Sequence, residues 1–266
     1  MKRFIIALLL LPLAFSINLV SPQVKNVENG DIIDLGVIGP GQTVSLQIDP
    51  LMKKGGLYGI GGQYDQAIVT DMPRGWSFTP SKLYQNPLQV TLSSASDAAE
   101  GDYSTRVTVI DEGNGENLGN VSFTVRVNVV HDVLDIDVSP SHINVGPGQP
   151  ARFAITITNK GSTSDVFDVS ATGSKRWEFK KQVYVPEQST KTIYYEIVGN
   201  EEETYTTTIK VVSLSSSIIS EEKNVTLFIQ SDVFGDYKAT NNGVLVFPIF
   251  ESMAYSLAGL ISNLFG

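Results

Sequence analysis

The feature that most constrains this chain is that its middle is written twice. Gly39-Pro40-Gly41-Gln42 recurs as Gly146-Pro147-Gly148-Gln149, and Trp76-Ser77-Phe78 recurs as Trp177-Glu178-Phe179. Further on, Tyr103-Ser104-Thr105-Arg106-Val107-Thr108-Val109 matches Tyr205-Thr206-Thr207-Thr208-Ile209-Lys210-Val211. Asn120-Val121-Ser122-Phe123 matches Asn224-Val225-Thr226-Leu227. These four anchors recur in order at offsets of 107, 101, 102 and 104 residues, so only loop lengths change between copies. Self-similarity of this period means one structural unit used twice, and 266 residues is a comfortable length for two domains.

Each unit reads as β. In the first, Val44, Leu46 and Ile48 alternate with polar neighbours, as do Leu88, Val90 and Leu92, then Tyr103, Val107 and Val109, and Val121, Phe123, Val125 and Val127. The second repeats the pattern in Phe153, Ile155 and Ile157, Phe167 and Val169, Ile193, Tyr195 and Ile197, Tyr205, Thr207, Ile209 and Val211, and Val225, Leu227 and Ile229. Period-2 alternation buries one face of a strand and wets the other. Short strands separated by Gly, Pro, Asn and Ser predict a sandwich in each unit, residues 17–131 and 132–232. The anchors themselves look architectural. Gly-Pro-Gly-Gln sets a turn, Trp76 and Trp177 are expected as equivalent plugs buried between sheets, and Tyr103 and Tyr205 open late strands where a hydroxyl can bond back to the chain.

The second unit resembles the NEW3 repeats, immunoglobulin-like modules of archaeal and bacterial membrane-anchored surface proteins. The residues that carry this are Asn144-Val145-Gly146-Pro147-Gly148-Gln149, Ile157-Thr158-Asn159-Lys160-Gly161, Trp177 and Thr204-Tyr205. The first unit is similar at Pro73-Arg74-Gly75-Trp76 and Ala99-Glu100-Gly101-Asp102-Tyr103, and departs at Lys53 to Gln66, where a glycine-rich segment replaces the Asn-x-Gly hairpin. The resemblance implies two tandem immunoglobulin-like sandwiches, a cell-envelope setting and no known chemistry.

The ends carry targeting signals. Lys2 and Arg3 precede the apolar run Phe4 to Phe15, and Ala14 and Ser16 place small side chains at a cleavage site, so residues 1–16 read as a signal peptide for export. An uncleaved anchor is the alternative. Residues 233–243 read as a linker. Residues 244–266 follow as a C-terminal hydrophobic, amphipathic α-helix. Glu251, Ser252, Tyr255, Ser256, Gly259, Ser262 and Asn263 share one side of it. Phe250, Met253, Leu257, Leu260, Ile261, Leu264 and Phe265 share the other, with Ile249. That face must meet lipid, a second copy or the protein's own sheet. Membrane association is expected.

Several function classes are excluded by composition. Nineteen Lys and Arg face 28 Asp and Glu, a net of −9, which argues against nucleic acid as a partner. No cysteine and only two histidines, His131 and His142, leave little material for thiolate, zinc or His-based catalysis. The expectation is an exported, non-catalytic spacer, adhesion or assembly module at the cell envelope, partnering other envelope proteins or itself, with no cofactor. A carbohydrate-binding accessory module is the alternative. Its contact would be a mobile glycine-rich loop, Lys54 to Gly62, with Tyr58 and Tyr64 stacking on a sugar. That loop lacks the strand–helix context and Gly-Lys-Ser/Thr of a phosphate cradle. Asp111 to Asn117 resembles a calcium loop only in composition, and Asn114-Gly115 is expected as a hairpin turn. Asp132, Asp135 and Asp137 read as solvated strand edges. Asn120 and Asn224 head sequons at equivalent places and are candidate glycosylation sites.

Overall fold

The computed structural model describes residues 16–112, 115–173 and 178–231. The leader up to Phe15, the linker and the 244–266 segment lie outside them, as do Asn114 and Trp177. The chain divides into two compact units between Val130 and His131. The described residues form strands and turns with no α-helix, and no helix among them is long and apolar enough to cross a membrane.

The first unit runs β1 (Ser16–Ser21), β2 (Lys25–Glu28), β3 (Ile32–Ile38), β4 (Thr43–Asp49), β5 (Leu51–Met52) and β6 (Gly62–Gln63). It continues with β7 (Gln66–Thr70), β8 (Ser77–Thr79), β9 (Leu88–Ser93), β10 (Gly101–Ile110) and β11 (Val121–Val129). One sheet has the order β2-β1-β4-β9-β8 and the other β3-β11-β10-β7. The second unit runs β12 (Leu134–Ser139), β13 (His142–Val145), β14 (Pro150–Asn159) and β15 (Asp165–Thr172), then β16 (Phe179–Val185), β17 (Ser189–Val198), β18 (Thr204–Ser213) and β19 (Ser220–Ile229). Its sheets are β12-β14-β17 and β13-β19-β18-β15-β16.

In both units the opening strand splits between sheets. β12 lies antiparallel to β14, while β13 lies parallel to the last strand, β19. The first unit does the same with β1 on β4 and β3 parallel to β11. A proline directly after β1 and β12, Pro22 and Pro140, has no N–H to extend the ladder. This Ser-Pro pair is a fifth anchor, at an offset of 118 residues. The larger offset reflects β2, which only the first unit has. Antiparallel sheets with this split edge make each unit an immunoglobulin-like sandwich.

The alternation seen in the sequence is the packing. Leu46, Ile48, Leu88 and Val90 of one sheet are buried with Ile33, Val107, Phe123 and Val125 of the other. In the second unit Phe153, Ile155 and Ile193 are buried, as are Phe167, Val169, Ile209 and Leu227. Each such side chain contributes about 1.5–3 kcal/mol by leaving water.

The Gly-Pro-Gly-Gln repeats close identical turns. Gly41 and Gly148 sit at φ +71° and +76°, the conformation a turn with Pro before it requires at this position. The recurring glutamine has a separate role. Gln42 Oε1 accepts from the Gly39 N–H at 2.7 Å, and Gln149 Oε1 from the Gly146 N–H at 3.1 Å. Both glutamines are buried, so each satisfies its own turn. The tyrosine expectation holds in the first unit, where the Tyr103 hydroxyl donates to Ala99 O at 3.0 Å. Trp76 differs from expectation. It is half-buried at the rim, tilted against the Tyr103 ring at 5.2 Å, because it precedes an edge strand and packs on the end of the core.

The repeat breaks at one place. Trp76-Ser77-Phe78 leads into β8, which pairs with β9, as Phe78 opposite Leu92 shows. Trp177-Glu178-Phe179 leads into β16, which folds back on β15, with Phe179 opposite Ala171 and Val185 opposite Asp165. Equivalent sequence therefore lies in opposite sheets. Pro80 ends β8 after three residues, whereas β16 runs for seven and buries Val183 and Val185.

Candidate functional site

The two units differ most at one end. The connection after β4, Pro50 to Asp65, corresponds to only Lys160 to Ser164 in the second unit. Pro80 to Pro87 corresponds to Pro186 to Gln188, and Asp111 to Asn120 to Leu214 to Ile219. In the first unit these three long connections are tied together. Tyr84 N donates to Asp65 O at 2.8 Å, Asp65 N to Ile110 O at 2.9 Å, and Leu57 N to Glu116 O at 2.8 Å. Glu112 N donates to Asp65 Oδ2 at 2.7 Å. Loops carried on such a rigid scaffold are where sandwiches place binding residues.

The glycine-rich segment is a built hairpin and not an open loop. Leu51 pairs with Gln63 and Met52 with Gly62 across β5 and β6. Gly61 sits at φ +90°, and a Cβ there would lie 1.9 Å from Met52 O, so only glycine fits. The Glu116 carboxylate accepts from Gln63 N at the hairpin's base. The amides of Leu57, Gly59 and Gly61 donate to Glu116 O, Gly56 O and Gly55 O, which takes them away from any phosphate. What remains outward is the tip. Leu57 is 58% exposed, Tyr58 81% and Ile60 78%, beside exposed Lys53 and Lys54.

Tyr64 is not part of that surface. Its side chain is 0% exposed, because it follows β6 and turns inward one residue after Gln63. Its N–H is held by Pro50 O at 3.0 Å. The hydroxyl has no hydrogen-bond partner, and burial, reinforced by the negative charge of Asp111, pushes its pKa up to about 12. Tyr64 is a core residue. The exposed aromatic partner at this end is instead Tyr84, held at φ +58° on the Pro80–Pro87 connection beside half-exposed Leu83. An apolar pair in a proline-bounded loop was its visible signal in the sequence.

The other flagged residues have structural roles. Asp111 is buried, and its Oδ2 accepts from Glu116 N at 3.2 Å and Leu118 N at 3.1 Å, so the acidic segment is turn chemistry. The connection from β10 to β11 is also longer than a two-residue hairpin turn. Asp132 pairs with Lys160, and Asp135 and Asp137 face solvent along β12 opposite Thr158 and Thr156. No group of three metal-binding side chains occurs among the described residues. The His142 ring nitrogen Nδ1 lies 3.3 Å from the hydroxyl of its neighbour Ser141. Asn120 and Asn224 are both exposed, Asn120 just before β11 and Asn224 within β19, where its Oδ1 accepts from the Thr208 hydroxyl at 2.8 Å. The apolar face of the tail, Phe250 to Phe265, lies outside the described residues.

Neither a family model nor a curated protein matches the chain. Solved structures similar to it include a chimeric titin Z1Z2 carrying a decorin peptide, at 10% identity and a TM-score of 0.38, covering 82% of this chain and 99% of that one. The titin immunoglobulin tandem A164-A165 is 7% identical, with a TM-score of 0.28 over 81% of this chain and 97% of that one. A complex of zinc 2-glycoprotein and prolactin inducible protein from human seminal plasma gives 11% identity and a TM-score of 0.31, over 37% of this chain and 95% of that one. Likeness this distant carries no functional information.

Proposed function

We propose that this is an exported, membrane-associated cell-envelope protein, a non-catalytic spacer, adhesion or assembly module whose contact surface is the loop end of the first sandwich. The observation that carries the reading is the hairpin tip. Three large side chains within four residues, Leu57, Tyr58 and Ile60, stand in solvent on a hairpin pinned at its base. A rigid tyrosine flanked by aliphatic side chains is the chemistry of an interface anchor. Export and membrane association rest on the apolar run Phe4 to Phe15 and on the one-sided apolar face of residues 244–266.

The exposed rings of Tyr58 and Tyr84 support a second reading, a carbohydrate-binding module, because sugar faces stack on such rings. Binding of the full chain to envelope fractions and to a glycan array is to be compared with that of the double variant Tyr58→Ala, Ile60→Ser. The proposal expects at least a tenfold loss of envelope binding with an unchanged melting temperature, and unchanged binding refutes it. A Tyr58-dependent glycan signal selects the second reading. The membrane part is tested separately: the full chain should partition into membranes while a chain ending at Ser231 does not, and identical behaviour of the two rejects it.

A further inference from the structure

The switch of the Trp-x-Phe segment between sheets leaves the second unit with an open edge. In the first unit β9 is flanked by β4 on one side and β8 on the other, and Pro87 precedes it. Its counterpart β17 pairs with β14 only, and among the described residues no strand lies on its other edge. That edge is ten residues long, with no register shift, no glycine and no proline. Natural sheets blunt such edges with bulges, prolines, inward charges or a covering segment. Here Lys191 is the one charge on the inward-facing positions, close to one end.

We infer that β17 is the site at which a second copy of this chain adds its own β17, antiparallel, across a two-fold axis at Tyr194. Three observations select a second copy. The strand carries one cation and one acid, Lys191 and Glu196, so two copies of a chain with a net charge of −9 meet there without like charges opposed. The antiparallel register sets Thr192 opposite Glu196 and Thr190 opposite Val198 on the outward face, and Lys191 opposite Ile197 on the inward one, so no like charges face each other. The outward face is regular, with no bulge along its ten residues. Thr190 and Thr192 are hydrogen-bonded to Thr158 and Thr156, and Tyr194 lies under the Arg152 guanidinium at 3.6 Å. Pairing of nine residues adds roughly one backbone hydrogen bond per residue, a number that standard interfaces reach.

The chain has no cysteine, so single-cysteine variants report this contact directly. Tyr194 and Tyr184 are each 54% exposed, and Tyr184 lies on β16, in the opposite sheet. Full-length Tyr194→Cys and Tyr184→Cys, in detergent at equal concentration, are treated with a short bis-maleimide. The two-fold contact expects at least tenfold faster cross-linking at position 194, and slower cross-linking of Glu196→Cys than of Tyr194→Cys. Equal rates at 184 and 194, as the C-terminal segment alone would produce, overturn the inference, and so does the absence of cross-linking. In uncross-linked protein, Tyr194→Lys should raise the dimer dissociation constant at least tenfold while Tyr184→Lys leaves it unchanged. Both positions face solvent, so neither change threatens folding.

Discussion

Asn159 is a fully buried polar side chain that holds three segments of the second unit together, and replacing it with its isostere isolates what its N–H groups do. Nδ2 donates to Thr163 O at 2.9 Å, Pro186 O at 3.1 Å and Val185 O at 3.3 Å, while Oδ1 accepts from Gly161 N at 3.0 Å. Asn159→Asp keeps shape and volume but removes both donors. Pro186 O keeps the Ser189 hydroxyl at 2.9 Å. Thr163 O and Val185 O lose the Nδ2 donor and face a carboxylate oxygen. Losing these two buried hydrogen bonds and setting a carboxylate oxygen against carbonyl oxygens costs about 1–3 kcal/mol each, so the variant should lose roughly 2–6 kcal/mol. A buried carboxyl beside carbonyl oxygens has its pKa raised, so the loss should shrink in acid, where protonation returns one donor. The assay is urea unfolding followed by tryptophan fluorescence in a Trp76→Phe background, leaving Trp177 as the reporter of the second unit. Asn224→Asp, at an exposed position, is the control and should stay within about 0.5 kcal/mol. A loss below about 1 kcal/mol in the Asn159 variant, or an equal shift in the first unit's transition, read by Trp76 in a separate Trp177→Phe background, would refute the reasoning.

Tyr64→Phe removes a buried hydroxyl without a hydrogen-bond partner, so it should be neutral or stabilising by up to about 1 kcal/mol at neutral pH; clear destabilisation measured by thermal unfolding counts against its burial. Tyr64 and Tyr195 both have raised pKa values, chiefly from burial. Their stabilising effect is therefore complete below the unfolded tyrosine pKa of about 10 and is lost as pH rises through the folded values, about 12 for Tyr64. Phenolate absorbance should titrate late, and Tyr64→Phe should lessen the alkaline loss of stability. Gly61→Ala forces a Cβ to 1.9 Å from Met52 O at a φ of +90° and should cost about 3 kcal/mol or more or open the hairpin, read as faster amide exchange at Leu57 and Gln63. An unchanged exchange pattern would show that the hairpin is not built as described.

The sequence by itself determined the duplication, the strand faces and the turns. Those properties are local: alternation places Leu46, Ile48 and Val90 inward whatever the rest of the chain does, and a Pro-Gly pair prescribes its own turn. It also marked Asn159 and the glycine-rich departure, though not their roles, since a buried asparagine's partners come from strands far away in sequence. Tyr64 and Tyr58 were indistinguishable as letters; one lies just past β6 at the hairpin's base and the other at its tip, which set the first in the core and the second in water. The tertiary structure alone decided which sheet received each Trp-x-Phe segment. Both choices satisfy the same alternation, so pairing was settled by competition between the edges of β9 and β15-type strands, with Pro80 stopping one segment after three residues. An open edge has no sequence signature, because it is defined by the strand that is not beside it.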